Sequence, residues 1–167
     1  AYASVTQLPE GQEYTEQQLR YCGLLAFADP LKDTAKKSIS QAQALGVQVK
    51  ILTGDSREVA QSIAMQVGII GAHDTVITGE EFDALTPIER HERVKTIHVF
   101  ARVKPEQKFS IIQHLQQSSI VGFLGEGMND APALRLAHVG LVVHNASDIA
   151  REAADILLLD RSLHVIV

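Results

Sequence analysis

The chain has 167 residues, of which 46% are hydrophobic and 21% charged, with a formal net charge of −5. That length supports one domain with a core that needs no staples, and basic residues neither in excess nor clustered exclude a nucleic-acid binder. A lone Cys22 excludes an internal disulfide framework and fits a reducing compartment.

No apolar run approaches the roughly 20 residues of a membrane helix, and the opening residues do not read as a signal peptide. The chain starts at Ala1 and closes on the apolar His164-Val165-Ile166-Val167, so it reads as a piece of something longer. Residues 1–20 open with a strand-like A-Y-A-S-V and a turn-forming P-E-G-Q-E, read as a linker or the edge of a neighbouring domain. Tyr21 to Ala28 is an apolar run of strand length, closed by Asp29-Pro30 because proline disfavours helix in the residue before it. Cys22, inside this run with no cationic neighbour, is expected to be a buried small hydrophobe.

From Asp33 to Leu45, Ala35, Ile39, Ala42 and Leu45 fall at helical spacing, with Asp33 or Thr34 as cap and Gly46 as stop. Val47 to Leu52 predicts a buried strand. It runs into Thr53-Gly54-Asp55-Ser56 and a helix from about Arg57 to Val67, stopped by Gly68. Gly71 to Thr96 is less regular, with a short strand near Val76 and one or two surface helices. His98 to Ala101 reads as a strand leading to Arg102-Val103-Lys104-Pro105, and Pro105 opens a helix to about Gln116 whose expected buried stripe is Phe109, Ile112 and Leu115. The apolar Ile120 to Leu124 then stops at Gly125, and Glu126, Asn129 and Asp130 follow within five residues. A short helix over Ala131 to Ala137, a strand at Val139 to Val143, a helix at Asp148 to Ala153 and a strand at Ile156 to Leu159 complete the series. Alternating strands and helices predict an α/β fold with a parallel sheet.

Three polar clusters follow three apolar strands: Thr53-Gly54-Asp55, Arg102 to Lys108, and Glu126 to Asp130. In open α/β sheets, ligands bind outside the carboxyl ends of the strands. If these ends converge, a hydroxyl, a cation and an acidic loop meet, a set suited to a phosphoryl group held with a hard cation such as Mg²⁺. Phosphoryl transfer asks a protein mainly for positioning and charge stabilisation. A nucleophile is missing, because no D-x-x-G-T or D-x-D-x-T follows an apolar strand. Taken singly, each cluster also has an ordinary reading: a turn at Thr53, a solvated Lys108, a surface ion pair at Arg102, a helix cap at Asn129 and Asp130. The seven histidines show no pair at metal-ligand spacing and are assigned to no site.

The segments T-G-D at Thr53, F-A-R-V-K-P-E-Q-K at Phe100, G-E-G-M-N-D-A-P-A-L at Gly125 and D-I-A-R-E-A-A-D-I-L-L-L at Asp148 resemble the phosphorylation domain of P-type cation-transporting ATPases. Asp29-Pro30-Leu31-Lys32 is similar to that family's D-P-x-R segment. The likeness runs in order and spacing from Leu24 to Val167, and among branches it looks most like the bacterial magnesium-transporting group. It implies a haloacid-dehalogenase-like, Rossmann-type parallel sheet with helices on both faces, spanning residues 21–167 as an incomplete phosphorylation domain. It also implies use of ATP and Mg²⁺. The acceptor aspartate of a D-K-T-G-T segment and a nucleotide-binding domain would come earlier in the parent pump, with residues 1–20 as the return from that domain. The site would be cytoplasmic, attached to helices in a bacterial inner membrane.

Carried over by motif, Lys108 stabilises the phosphoryl group, Thr53 and Gly54 hold its oxygens, and Asn129 assists. Asp55 and Arg102 lie on the nucleotide side, Asp29 supports the hinge, and Glu126 and Asp130 are the metal candidates. The family has aspartate where this chain has Glu126, which keeps the charge and adds a methylene. Two other readings follow from the residues: a stand-alone phosphatase of the same superfamily, for which Asp29 is the candidate nucleophile, and a binding module whose chemistry the Glu126 change has retired.

Overall fold

A computed structural model describes residues 2–4, 20–23, 31 and 34–159. The chain divides into two compact units, Ala1–Leu31 and Lys32–Val167. In the first, β1 (Tyr2–Ser4) pairs antiparallel with β2 (Arg20–Gly23). Cys22 lies on β2 and is exposed, which corrects the expectation of a buried thiol: a two-stranded ribbon need not cover both of its faces. Residues 24–30, with the rest of the expected strand and Asp29, lie outside the described residues.

The second unit holds two three-stranded parallel sheets, of strand order β3-β5-β4 and β6-β7-β8. In the first sheet, β3 (Ile51–Leu52), β4 (Val76–Thr78) and β5 (Val99–Ala101) are joined through α2 (Arg57–Gln66), α3 (Gly79–Asp83) and α4 (Pro87–Thr96). Each helix start has its physical reason in the sequence. Ser56 Oγ accepts from Val59 N, and Thr78 and Thr86 form capping boxes with Glu81 and Glu89. Gly68, at φ +79, ends α2 in the left-handed region that glycine occupies without strain.

The core of this half gathers Phe82, Val94, Phe100 and Ile111, all at 0% exposure, with Phe82 and Phe100 edge to face at 5.8 Å. Phe82 and Val94 thus anchor segments that the sequence suggested were surface helices. The strand expected over Val47 to Leu52 is shorter and less buried than its β-branched run implied. Its ladder begins only where β5 begins, with Ile51 N donating to His98 O at 2.8 Å, and β3 is an end strand among the described residues. Before it, α1 (Ala35–Ala44) follows the expected spacing, but its fully buried residue is Ser38 and Leu45 is 71% exposed.

In the second sheet, β6 (Gly122–Gly125) and β7 (Val139–Val143) flank a 3₁₀ turn (Met128–Asp130) and α6 (Ala131–Leu136), and α7 (Asp148–Ala153) leads to β8 (Ile156–Leu158). Its core is built largely from small residues, Ala131, Ala146, Ala150 and Ala153 around Leu134 and Val142. The small side chains let helices approach the sheet closely: at Gly140 an added Cβ would lie 2.7 Å from Leu134 O. β6 is also an end strand, with Leu124 41% exposed. Between the two halves runs α5 (Pro105–Gln116), which opens on Pro105 as expected. Its buried residues are Gln107, Ile111 and Ile112, with Leu115 packed partly buried on the core and Phe109 37% exposed, so the inward stripe keeps Ile112 and Leu115 of the predicted set and takes Gln107 and Ile111 in place of Phe109.

Candidate functional site

Beyond β3 the ladder continues, because Thr53 N donates to Phe100 O at 3.0 Å and Val103 N returns to Thr53 O at 2.9 Å. Arg102 N donates to Asp55 O at 2.8 Å, which locks the loop after β3 onto the loop after β5. Arg102 is the non-glycine residue at positive φ, +49, among the described residues. Left-handed backbone at a non-glycine residue costs roughly 1–2 kcal/mol, and the hydrogen bond to Asp55 is what holds it there. Thr53 Oγ1 donates to Asp55 Oδ2 at 2.8 Å and accepts from Asp55 N at 3.1 Å, so this hydroxyl must leave Asp55 before it can donate elsewhere. Gly54, Asp55 and Arg102 are exposed.

From the first turn of α5, Lys108 Nζ reaches Asp130 Oδ1 at 2.7 Å, in the loop after β6. Both side chains are largely covered, at 17% and 12% exposure. The other oxygen of Asp130 accepts from Glu126 N at 3.2 Å and Gly127 N at 3.1 Å. Burial pushes the Asp130 carboxyl up, but the Lys108 hydrogen bond, the Gly127 and Glu126 amides and the Lys108 charge outweigh it and hold the group below its ordinary value. Gly125 is needed for this fold of the loop: an added Cβ would lie 2.8 Å from Asp130 Cβ. Ser147 N donates to Glu126 O at 2.9 Å and ties the start of α7 to the same loop.

The two carboxylates of the loop therefore differ. Asp130 is buried and fully engaged, whereas Glu126 and Asn129 are exposed. Mg²⁺ keeps several waters and takes only one or two protein carboxylates alongside substrate phosphate oxygens. The exposed Glu126 carboxylate and Asn129 amide of this loop are oxygen donors of the kind that suits such an ion alongside a phosphoryl group. No group of three or more His, Cys, Asp or Glu among the described residues is arranged to hold a metal unaided.

The structure thus brings Lys108 to Asp130 directly, and joins Thr53 to Val103 and Asp55 to Arg102 through the backbone. Asp29 lies outside the described residues. His138, assigned to no site from sequence, accepts at Nδ1 from Val121 N at 3.1 Å and braces the entry to β6. A cleft of about 200 Å³, lined by Ile70, His73, Arg93 and His98 among others, sits at the amino ends of β4 and β5, and no residue of the cluster lines it. Sequence reasoning passed over Gln107, a polar residue 6% exposed next to Lys108. Its neighbours in sequence show no sign of burial, since its partner Asp83 lies 24 residues away.

Parallel strands joined by helices, with polar loops after their carboxyl ends, define an α/β domain of the kind found among hydrolases. The chain belongs to the haloacid dehalogenase-like hydrolases, whose family model matches residues 2–138. It is homologous to the phosphorylation domain of P-type cation ATPases. It is 46% identical over 152 residues to a magnesium-transporting ATPase, P-type 1, of Salmonella typhimurium, covering 90% of this chain and 16% of that protein. It is 37% identical over 153 residues to calcium-transporting ATPase 1 of Lactococcus lactis, covering 91% of this chain and 17% of the relative. Among solved structures, the crystal structure of a zinc-transporting PIB-type ATPase in the E2.Pi state matches with a TM-score of 0.61 and 30% identity, over 81% of this chain and 18% of that one. The chain spans about a sixth of the length of these relatives.

Proposed function

We propose that residues 21–167 are the distal part of the phosphorylation domain of a magnesium-type cation pump, with residues 1–20 returning from a nucleotide-binding domain. In this reading the chain holds a phosphoryl group and Mg²⁺ while an aspartate from a D-K-T-G-T segment elsewhere in the parent pump takes and releases the γ-phosphate of ATP. The pump's membrane helices lie outside residues 1–167, and the domain faces the cytoplasm of a bacterial cell. Among the described residues no helix is long and apolar enough to cross a membrane.

The observation that carries the reading is the Lys108–Asp130 pair, which joins the helix after β5 to the loop after β6 at 2.7 Å. Its support is the double backbone link from Thr53 and Asp55 to Val103 and Arg102, which brings the third strand end to the same helix start. Lys108 supplies charge to the phosphoryl oxygens, Thr53 and Gly54 supply donors, and Asn129 assists. Asp55 and Arg102 stand on the nucleotide side. Bound Mg²⁺ would supply further charge neutralisation, held by Glu126 with phosphate and water, with Asp130 beside it.

The test is titration of inorganic phosphate and of beryllium fluoride, each with and without Mg²⁺, followed by amide NMR shifts. Expected are shifts at Gly54, Lys108 and Glu126 that need Mg²⁺, strengthen in Glu126→Asp and vanish in Lys108→Met. Negligible shifts in both the unaltered chain and Glu126→Asp refute the reading and favour the retired binding module. Incubation with γ-labelled ATP should leave the chain unlabelled; covalent label on Asp29 would establish the stand-alone phosphatase instead.

A further inference from the structure

We propose that Gln107 is a positioning residue for Lys108, its amide bridging α3 to the start of α5 so that the first turn of α5 is fixed in rotation. The inference rests on Lys108 as the phosphoryl-holding residue proposed above. A primary amide buried to 6% exposure is unfavourable unless both its ends are hydrogen-bonded. Here they are: Oε1 accepts from Lys104 N at 2.8 Å, and Nε2 donates to Asp83 Oδ2 at 2.5 Å. The first contact alone is an ordinary cap. The second leaves the helix and reaches an element 24 residues earlier in the chain.

The receiving side is shaped for it. Gly79 opens α3, and a Cβ there would lie 2.0 Å from Gln107 Oε1, so the absence of a side chain at 79 is what admits the amide. Asp83 is itself held: Arg90 Nη2 donates to Asp83 O, and the Arg90 guanidinium lies 5.5 Å over the ring of fully buried Phe82. Lys108 is the next residue along α5. Its ammonium spans from this helix to Asp130 on the second half of the unit, so any rotation of the first turn is magnified at Nζ. Displacements of about 1 Å at such a group are enough to matter for chemistry.

A double-mutant cycle tests this without any ligand. The coupling between Lys108→Met and Asp130→Asn is measured by urea unfolding in the unaltered chain, in Gln107→Met and in Gln107→Glu. Gln107→Met keeps volume and loses the bridge, and Gln107→Glu sets two carboxylates against each other at Asp83. The expected result is a clear coupling in the unaltered background that is lost in both variants and recovered in Asp83→Asn/Gln107→Glu, where the amide and carboxylate have exchanged places. Coupling that stays unchanged in Gln107→Met overturns the proposal, as does a loss that the exchanged pair does not reverse. If Gln107→Glu alone does not fold, Gln107→Met and the exchanged pair decide. A purely structural Gln107 would lower stability and leave the coupling intact. Absence of phosphate binding by both the unaltered chain and Glu126→Asp would refute the function proposed above while this cycle still read out positioning.

Discussion

Replacing Asp130 by alanine removes three hydrogen bonds at once and leaves the Lys108 ammonium, 17% exposed, without its counter-charge. Removing one partner of a buried ion pair destabilises by about 3–5 kcal/mol. Lys108→Met is milder: Asp130 keeps both amide donors, so the loss is about 1.5–3 kcal/mol, that of one hydrogen bond to a charged group. The chain has no tryptophan, so urea unfolding is best followed by circular dichroism. With a slope of about 2 kcal/mol per M, Asp130→Ala shifts the midpoint by roughly 1.5–2.5 M. The ordering is the sharper test. A Lys108→Met variant as unstable as Asp130→Ala, or an Asp130→Ala loss below about 1 kcal/mol, would show that the amides of Glu126 and Gly127 do not depend on this carboxylate. The pH dependence follows from the same contacts. The folded carboxyl titrates below its ordinary value, so the unfolded chain binds more protons and the pair stabilises the fold above about pH 4. That contribution disappears as pH falls through the lower folded value, and Asp130→Asn and the unaltered chain should converge there.

Gly140→Ala sets a methyl 2.7 Å from the backbone oxygen of Leu134, which cannot rotate away, and should destabilise by about 1–3 kcal/mol in the same unfolding assay. Gly79→Ala drives Gln107 out of its bridge, with a similar loss of about 1–3 kcal/mol; a loss no larger than that of an exposed helix substitution would mean the amide has another place to go. Lys50 donates to Ile97 O at 2.7 Å and Lys95 O at 3.2 Å, and burial pushes its ammonium down to about 8. The unfolded lysine titrates near 10.4, so the unfolded chain holds the proton longer. Stability should therefore rise with pH from about 8 upward, and that rise should be missing from Lys50→Met.

Elements bounded by local chemistry were legible in the sequence. α2 follows from Ser56 and Gly68, α5 from Pro105, and α7 runs over the predicted Asp148–Ala153. Burial was less legible, because it depends on what lies beside an element. The apolar run at Val47 to Leu52 reads as a buried strand, yet β3 ends its sheet among the described residues and stays partly open. On α5, counting Phe109, Ile112 and Leu115 placed Ile112 and Leu115 inward but took the exposed Phe109 for a core residue and passed over Gln107 and Ile111. Hydrophobic pattern cannot register a glutamine whose burial is made possible by a distant carboxylate and a distant glycine. Nor does the sequence around Asp130 show the three partners that the fold gives its side chain, Lys108 and the amides of Glu126 and Gly127.

That division within one loop decides which residue can separate folding from chemistry. Asp130 and Lys108 are bound to each other, and Asp130 also to the loop backbone, so a change at either alters the fold together with whatever they hold. Glu126 shapes the loop through its backbone alone, its N–H on Asp130 and its carbonyl on Ser147, while its side chain stands in solvent. Glu126→Asp therefore keeps every loop hydrogen bond, and its effect on stability should stay within about 0.5 kcal/mol. Because it shortens the carboxylate by one methylene, a change in Mg²⁺-dependent phosphate binding with stability unmoved can be assigned to the reach of that carboxylate, which no substitution at Asp130 or Lys108 permits.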